Sequence, residues 1–189
     1  SKKKLVIIPF NGNGIDALDC INFDEYEFIG FIDDDCQKYS SQYQIFNREI
    51  LLQNKDIYIL AVPGGPKSFH ERKQIISSLS VNPDRFITAI HPSVSIGRNV
   101  QIGNNCLIMA GAVLTSNSIL GDHVCILPNS VIHHDSKVGD YSLIGSNVTV
   151  AGQTSIGNNC YIGSGTNIIN GSNVGDKSVV GFGINGLKD

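Results

Sequence analysis

The 189-residue sequence lacks any long apolar run. Its longest apolar stretches, residues 5–8 and 57–62, fall far short of the roughly 20 residues that a membrane-spanning helix needs. A few lysines stand near the start, but no apolar core of a secretion signal follows them. A soluble, cytoplasmic protein is therefore expected, with no membrane partner. Basic runs are also scarce: none is longer than Lys2, Lys3 and Lys4, and the formal net charge is −3. Nucleic acid is not an expected partner. No CxxC occurs, and the five cysteines (Cys20, Cys36, Cys106, Cys125 and Cys160) are odd in number and widely spaced. That pattern fits a reducing compartment without disulfides or a zinc cluster. Cys106 and Cys160 fall at recurring small positions, so packing explains them.

What the sequence does have is a period. From Val94 it divides into fifteen hexads without a gap, and the third residue of every one is Ile, Leu or Val. The first residue is small or Val, the fourth is Gly in nine hexads, and the sixth is Asn or Gly in ten. Neither a 3.6-residue nor a two-residue period accounts for this. A short strand followed by a tight corner does. The aliphatic residue points into a narrow interior, and Asn or Gly accepts a left-handed backbone at the corner. Three strands and three corners close a coil, and stacked coils pair as parallel strands. The hexad resembles the signature of the left-handed parallel β-helix of hexapeptide-repeat acyltransferases, here of about five coils.

The first half alternates strand and helix signals, which implies a short parallel sheet. Strands are expected at 5–8, 27–32 and 57–62, with helices near 15–20 and from about 68 to 79. Residues 86–90 then lead through His91 and Pro92 into the first coil. The fold class is α/β plus all-β: a small Rossmann-like βαβ domain over 1–85, then a β-helix over 86–189. The three strands end in Pro9-Phe10-Asn11-Gly12-Asn13-Gly14, Asp33-Asp34-Asp35 and Pro63-Gly64-Gly65-Pro66. In an open parallel sheet such loops line one ligand crevice. The first loop alone reads equally as a plain tight turn, and the acidic run equally as a solvated loop.

Five histidines offer chemistry: His70, His91, His123, His133 and His134. His70 reads as solvated on its helix, and His91 as structural at the junction. A zinc site, as in β-helical carbonic anhydrases, needs histidines that converge. With vertical neighbours eighteen residues apart, His123 stacks on Tyr141, and His134 lies between Ser116 and Gly152. No two histidines share a column, so no metal is expected. His134 sits at a corner beside Asp135 and heads a column of Gly152, Asn170 and, by extension, Lys188. Such small residues would leave a channel for an extended thiol cofactor. The alternative is a corner histidine that merely tolerates an unusual backbone.

Residues 129–152, NSVIHHDSKVGDYSLIGSNVTVAG, are similar to the catalytic stretch of bacterial nucleotide-sugar acetyltransferases of the PglD/NeuD type. The resemblance covers nearly the whole chain. It implies an acetyl-CoA-dependent N-acetyltransferase acting on a nucleotide-linked amino sugar, in surface polysaccharide or glycan biosynthesis, as a homotrimer. It implies a catalytic pair in which His134 is the general base and Asp135 raises its basicity. It places Gly152, whose N–H would contact the thioester carbonyl, with Ser164 and Asn170 along the cofactor. Leu143 stands where some members carry a second histidine near the cofactor. Asn11, Gly12 and Asn13 fall on the loop facing the sugar nucleotide, Asp33 and Asp34 on an acidic pair meeting the base, and Pro63 and Gly64 on the third loop. The chain departs from the family at Pro9, where a glycine is usual, at Asn13, where a histidine is usual, and in the third loop. Two alternatives stand beside this reading: O-acetylation of a sialic acid-type sugar, and a non-catalytic β-helix that binds sugar or serves as a scaffold.

Overall fold

The computed structural model describes residues 1–181; the expected column member Lys188 lies outside them. The N-terminal part is a parallel sheet of β1 (Lys3–Ile8), β2 (Tyr26–Ile32), β3 (Ile45–Phe46) and β4 (Tyr58–Ala61), in the spatial order β3-β2-β1-β4. Apolar runs make the central strands. In β1, Leu5, Val6, Ile7 and Ile8 are all buried, as befits a strand covered on both faces. Short helices α1 (Gly12–Asp16), α2 (Ile50–Gln53) and α3 (Arg72–Ser78) join the strands. β3 and α2 carry no readable periodicity, because two to four residues are too few to show one.

Helix α1 starts earlier than the sequence pattern indicates, directly after β1. Asn11 caps it, its side chain accepting from Gly14 N–H at 2.8 Å. A side chain at Gly14 would collide with the carbonyl of Pro9, so only glycine fits this tight return. The helix expected from about 68 to 79 divides into a 3₁₀ turn, Phe69–Glu71, and α3.

The second part is a parallel β-helix of two-residue strands repeating every six residues, from Ala89–Ile90 to Val179–Val180. Strands eighteen residues apart pair in parallel and form three faces. The first face carries strands beginning at Ala89, Leu107, Cys125, Leu143, Tyr161 and Val179. The second begins at Ser95, Val113, Val131, Thr149 and Asn167, and the third at Gln101, Ile119, Lys137, Ser155 and Asn173. Third-place residues from Ile108 to Ile168 are at most 7% exposed, each contributing on the order of 1.5–3 kcal/mol on burial. Small first-place residues fit beneath the corners. Ser130, for example, donates to Gly145 O at 2.6 Å and accepts from Val148 N–H.

Every sixth-place residue from Asn99 to Lys177 has a positive φ, including His123, Asp135 and Tyr141. The corner geometry is thus imposed by the coil and not by the residue type. The helix also begins one hexad before Val94. Ala89–Ile90 pairs with Leu107–Ile108, whereas Phe86 still lies opposite Ile59 of β4 and Ile87 N–H donates to Ile59 O. His91 and Pro92 hide that first hexad in the sequence.

The two parts share one apolar core. Leu5, Ile7, Phe31, Leu60 and Phe69 pack with Leu107, Cys125, Leu143 and Tyr161, which point outward from the first face. Phe69 stacks on Tyr161 at 5.5 Å. The sheet domain therefore covers the first face of the prism.

Candidate active site

The loops after β1, β2 and β4 converge on a crevice of about 520 Å³. Asn11, Gly12, Asn13, Asp33, Asp34, Pro63 and Gly64 all line it, so the loop residues assigned to the acceptor by resemblance come together here. Ser68 and Gly65 complete the wall, the Ser68 hydroxyl accepting from Gly65 N–H at 3.1 Å. A side chain at Gly12 or Gly65 would meet nothing within 4 Å, so both glycines leave the crevice mouth open.

The two acidic residues are engaged differently. Asp33 is only 9% exposed and accepts from Phe10 N–H, Asp35 N–H and Lys38 Nζ at 3.0, 3.0 and 2.8 Å. Lys38 also donates to Phe10 O at 2.9 Å. Asp33 therefore ties the first loop to the second. Asp34 is exposed and holds the fork of Arg48 at 2.6 and 2.8 Å, a contact that pulls its carboxyl below the usual range. These two cations were not anticipated, because Lys38 and Arg48 stand alone in a polar stretch.

The third loop is fixed from behind by Arg72, 1% exposed. Its guanidinium donates to Pro63 O at 2.5 Å, His123 O at 2.6 Å and Tyr141 O at 3.1 Å. It thereby pins the crevice loop to two corners of the β-helix. Gly64, at φ +94°, packs against its methylenes. Asn105 adds a second tie, bonding the N–H and C=O of Ala61 at 2.8 Å each and His123 Nδ1 at 3.0 Å. His123 stacks on Tyr141 at 4.5 Å, as the eighteen-residue column requires, and burial pushes its pKa down. It belongs to the junction between the two parts. No pattern in the sequence marks Arg72, and only the three-dimensional packing exposes its role.

His134 is at the corner between the second and third faces, half exposed. Its Nδ1 lies 2.8 Å from Asp135 Oδ2. Asp135 Oδ1 accepts from Asn117 Nδ2 at 3.0 Å. These bonds, His134's first, hold the Asp135 carboxyl below its usual range. Gly152 lies one coil further on. A Cβ there would come within 2.6 Å of His134 Nε2, so the glycine is what admits the ring. The expected open channel over Gly152 is thus occupied by the imidazole itself. Asn170 follows Gly152 in the same column; Gly171 N–H donates to Gly152 O.

Ser164 and Leu143 do not join this corner. Ser164 stands at the corner between the first and second faces, its hydroxyl accepting from Ser146 N–H at 3.0 Å. Leu143, assigned to the cofactor by resemblance, is 1% exposed and packs in the core shared with the sheet domain. Its side chain therefore packs toward the sheet domain and not toward the His134 corner. Among the described residues, no three His, Cys, Asp or Glu side chains gather as a metal site requires, and no helix is long and apolar enough to cross a membrane.

The family described as bacterial transferase hexapeptide (six repeats) matches residues 117–152, and the hexapeptide repeat of succinyl-transferase matches 93–126 and 153–184. The β-helix is built of the repeat of bacterial hexapeptide transferases. No curated protein sequence matches the chain. Among solved structures, a histidine-to-asparagine mutant of perosamine N-acetyltransferase from Caulobacter crescentus, in complex with CoA and GDP-perosamine, is similar over 95% of this chain and 86% of its own, at 21% identity and a TM-score of 0.83. The acetyltransferase domain of PglB from Neisseria gonorrhoeae, in complex with acetyl coenzyme A, is similar over 96% of this chain and 97% of its own, at 21% identity and a TM-score of 0.72. WeeI from Acinetobacter baumannii is similar over 96% and 92%, at 19% identity and a TM-score of 0.72. The chain shares their fold over 95–96% of its length.

Proposed function

We propose that the protein is an acetyl-CoA-dependent N-acetyltransferase whose acceptor is a nucleotide-linked amino sugar. The observation that carries this is the His134 corner. With its Nδ1–H donated to Asp135, the imidazole keeps the Nε2 lone pair free. Nε2 takes the proton from the sugar amine as it attacks the thioester carbonyl, and Asp135 favours the resulting imidazolium. The imidazolium then protonates the departing thiolate. Gly152 N–H, which no group among the described residues accepts from, is available to the developing oxyanion. The ligands of the similar structures, CoA with GDP-perosamine and acetyl coenzyme A, support this substrate class.

The crevice of the sheet domain is the acceptor site in this reading, with Asn11, Gly12, Asn13, Asp34, Pro63 and Gly64 facing the ligand and Asp33 holding the loops. The sheet domain covers the first face, and His134 occupies the one corner that does not border it. An acceptor in the crevice of one subunit therefore meets the His134 corner of another, which favours the homotrimer. A reaction between acetyl-CoA and a nucleotide sugar supports a cytoplasmic setting.

The test uses the full chain with acetyl-CoA and a panel of GDP-, UDP- and dTDP-linked amino sugars. One of them should gain a single acetyl mass on nitrogen while an equal amount of free thiol is released. Transfer only to hydroxyl acceptors would replace this reading with O-acetylation. No thiol release with any acceptor would end it.

A further inference from the structure

Asp135 is held by more than its histidine. Asn99 Nδ2 donates to Asn117 Oδ1 at 3.3 Å, and Asn117 Nδ2 donates to Asp135 Oδ1 at 3.0 Å. The three residues are sixth-place corner residues of successive coils, eighteen apart. We propose that Asn117 is a positioning residue of this site, its amide fixing the carboxylate of Asp135 and, through it, the tautomer and plane of His134. This rests on the reading of His134 as the base.

The direction of the amide follows from its neighbours. An ionised carboxylate only accepts, so the amide nitrogen must face Asp135, and the oxygen is left for Asn99. Both carboxylate oxygens of Asp135 are then occupied: Oδ1 by Asn117 and Oδ2 by His134 Nδ1. Rotation of the carboxylate would break one bond or the other. With Oδ2 held against Nδ1, the proton stays on Nδ1 and Nε2 stays free. The ring is left over Gly152, where no side chain competes for the space.

The backbone alone does not require asparagine at this place. Asn117 has φ +62°, but Asp135 and Gln153 have φ +59° and +57° in the same column, and glycines fill sixth places at Gly111, Gly165 and Gly171. What asparagine adds is one donor and one acceptor in a line that ends on Asp135.

The test compares Asn117→Gly and Asn117→Asp with the parent, all as full chains. Glycine keeps the left-handed corner and removes the amide. Aspartate keeps the corner and the shape but opposes Asp135 with a second carboxylate. Two readouts are taken: the tautomer of His134 from nitrogen-15 imidazole spectra of the free protein, and kcat with both KM values. The parent should show the Nδ1–H tautomer. Both variants should shift toward a mixture and lose about tenfold in kcat, the scale of one lost hydrogen bond. Both KM values should stay within about twofold, and the melting temperature within about 2 °C. A parent-like tautomer, or an unchanged kcat, in both variants would overturn the proposal. Full turnover by His134→Ala would instead remove the reading on which it rests, and the tautomer spectra would still decide whether Asn117 sets the ring.

Discussion

The corner that follows the third face and the corner that follows the second use the same hexad places, yet only the first is closed. At the first, each fifth-place amide is capped by the side chain one coil on. Asn104, Asp122, Asp140 and Asn158 donate in turn to Asp122, Asp140, Asn158 and Asp176 at 2.7–2.8 Å. The sheet domain lies against this corner, with Arg72 bonded to the carbonyls of His123 and Tyr141. At the second, the fifth places are Arg98, Ser116, His134, Gly152 and Asn170, and no such ladder forms among the described residues. A repeat that satisfies its own backbone along one edge can leave another edge free for a ligand. The two histidines show the same contrast. His123 is spent on Asn105 and Tyr141 inside the junction, whereas His134 keeps one ring nitrogen for solvent or substrate.

The sharpest way to break this contrast is to delete each histidine in turn. His134→Ala should lower kcat by about 10²–10⁴-fold, the usual range for a lost general base, with the melting temperature unchanged. His133→Ala should cost far less. His123→Ala should do the reverse, lowering the melting temperature while most of kcat remains. Assays and thermal melts on the three variants decide the matter; near-full turnover by His134→Ala would leave the second corner without a catalytic role.

Next in size is the buried cation of the closed corner. Replacing Arg72 with Met keeps much of its volume but strips three carbonyls of their donor. Each unsatisfied buried carbonyl costs about 1–3 kcal/mol, so the melting temperature should fall by roughly 10 °C or more. The Pro63 loop loses its anchor, and the KM for the sugar nucleotide should rise more than that for acetyl-CoA. Equal effects on both would mean that Arg72 supports the fold without shaping the crevice.

These two corners also mark what was legible. The hexad period carries the β-helix because an aliphatic residue every sixth place has no other regular use, and the eighteen-residue column followed from it. That column placed His123 on Tyr141 and His134 over Gly152. The crevice was legible from three strand ends with Gly, Asn and Asp. What escaped were contacts between distant segments: Arg72 with Pro63, Asn105 with Ala61, and the cations on Asp33 and Asp34. A single long-range hydrogen bond leaves no period and no motif. Nor could the sequence reveal that the strand of Leu143 lies beneath the sheet domain. The first hexad escaped because His91 and Pro92 occupy its fourth and fifth places.

A smaller change tests the open corner from the other side. Gly152→Ala puts a methyl where the His134 ring lies. The ring can swing outward at little cost to stability, but not without leaving Asp135. We expect kcat to fall about tenfold with the melting temperature unchanged, since the loss is one of alignment. A rise in the KM for acetyl-CoA with kcat intact would mean instead that the methyl blocks the cofactor and leaves the ring in place.

The smallest expected effect concerns acid. Burial is the main cause that lowers the His123 pKa in the folded protein; the carboxylates of Asp122 and Asp140 oppose it, and Arg72 adds to it. Its unfolded value is about 6.5. Above that pH both states hold a neutral ring, and His123 adds no slope. As the pH falls through about 6.5, the unfolded chain takes up the proton first, so stability falls with it. The fall continues until the folded ring also protonates, which breaks the bond to Asn105 and places a second cation near Arg72. His123→Asn installs the commonest sixth-place residue and removes the titration. The parent should therefore lose more melting temperature than this variant between pH 7.5 and 5.5, by roughly 2–4 °C. If His123→Asn and the parent lose equal amounts, the junction is not acid-sensitive through His123, and the contrast between the two corners would lie in catalysis alone.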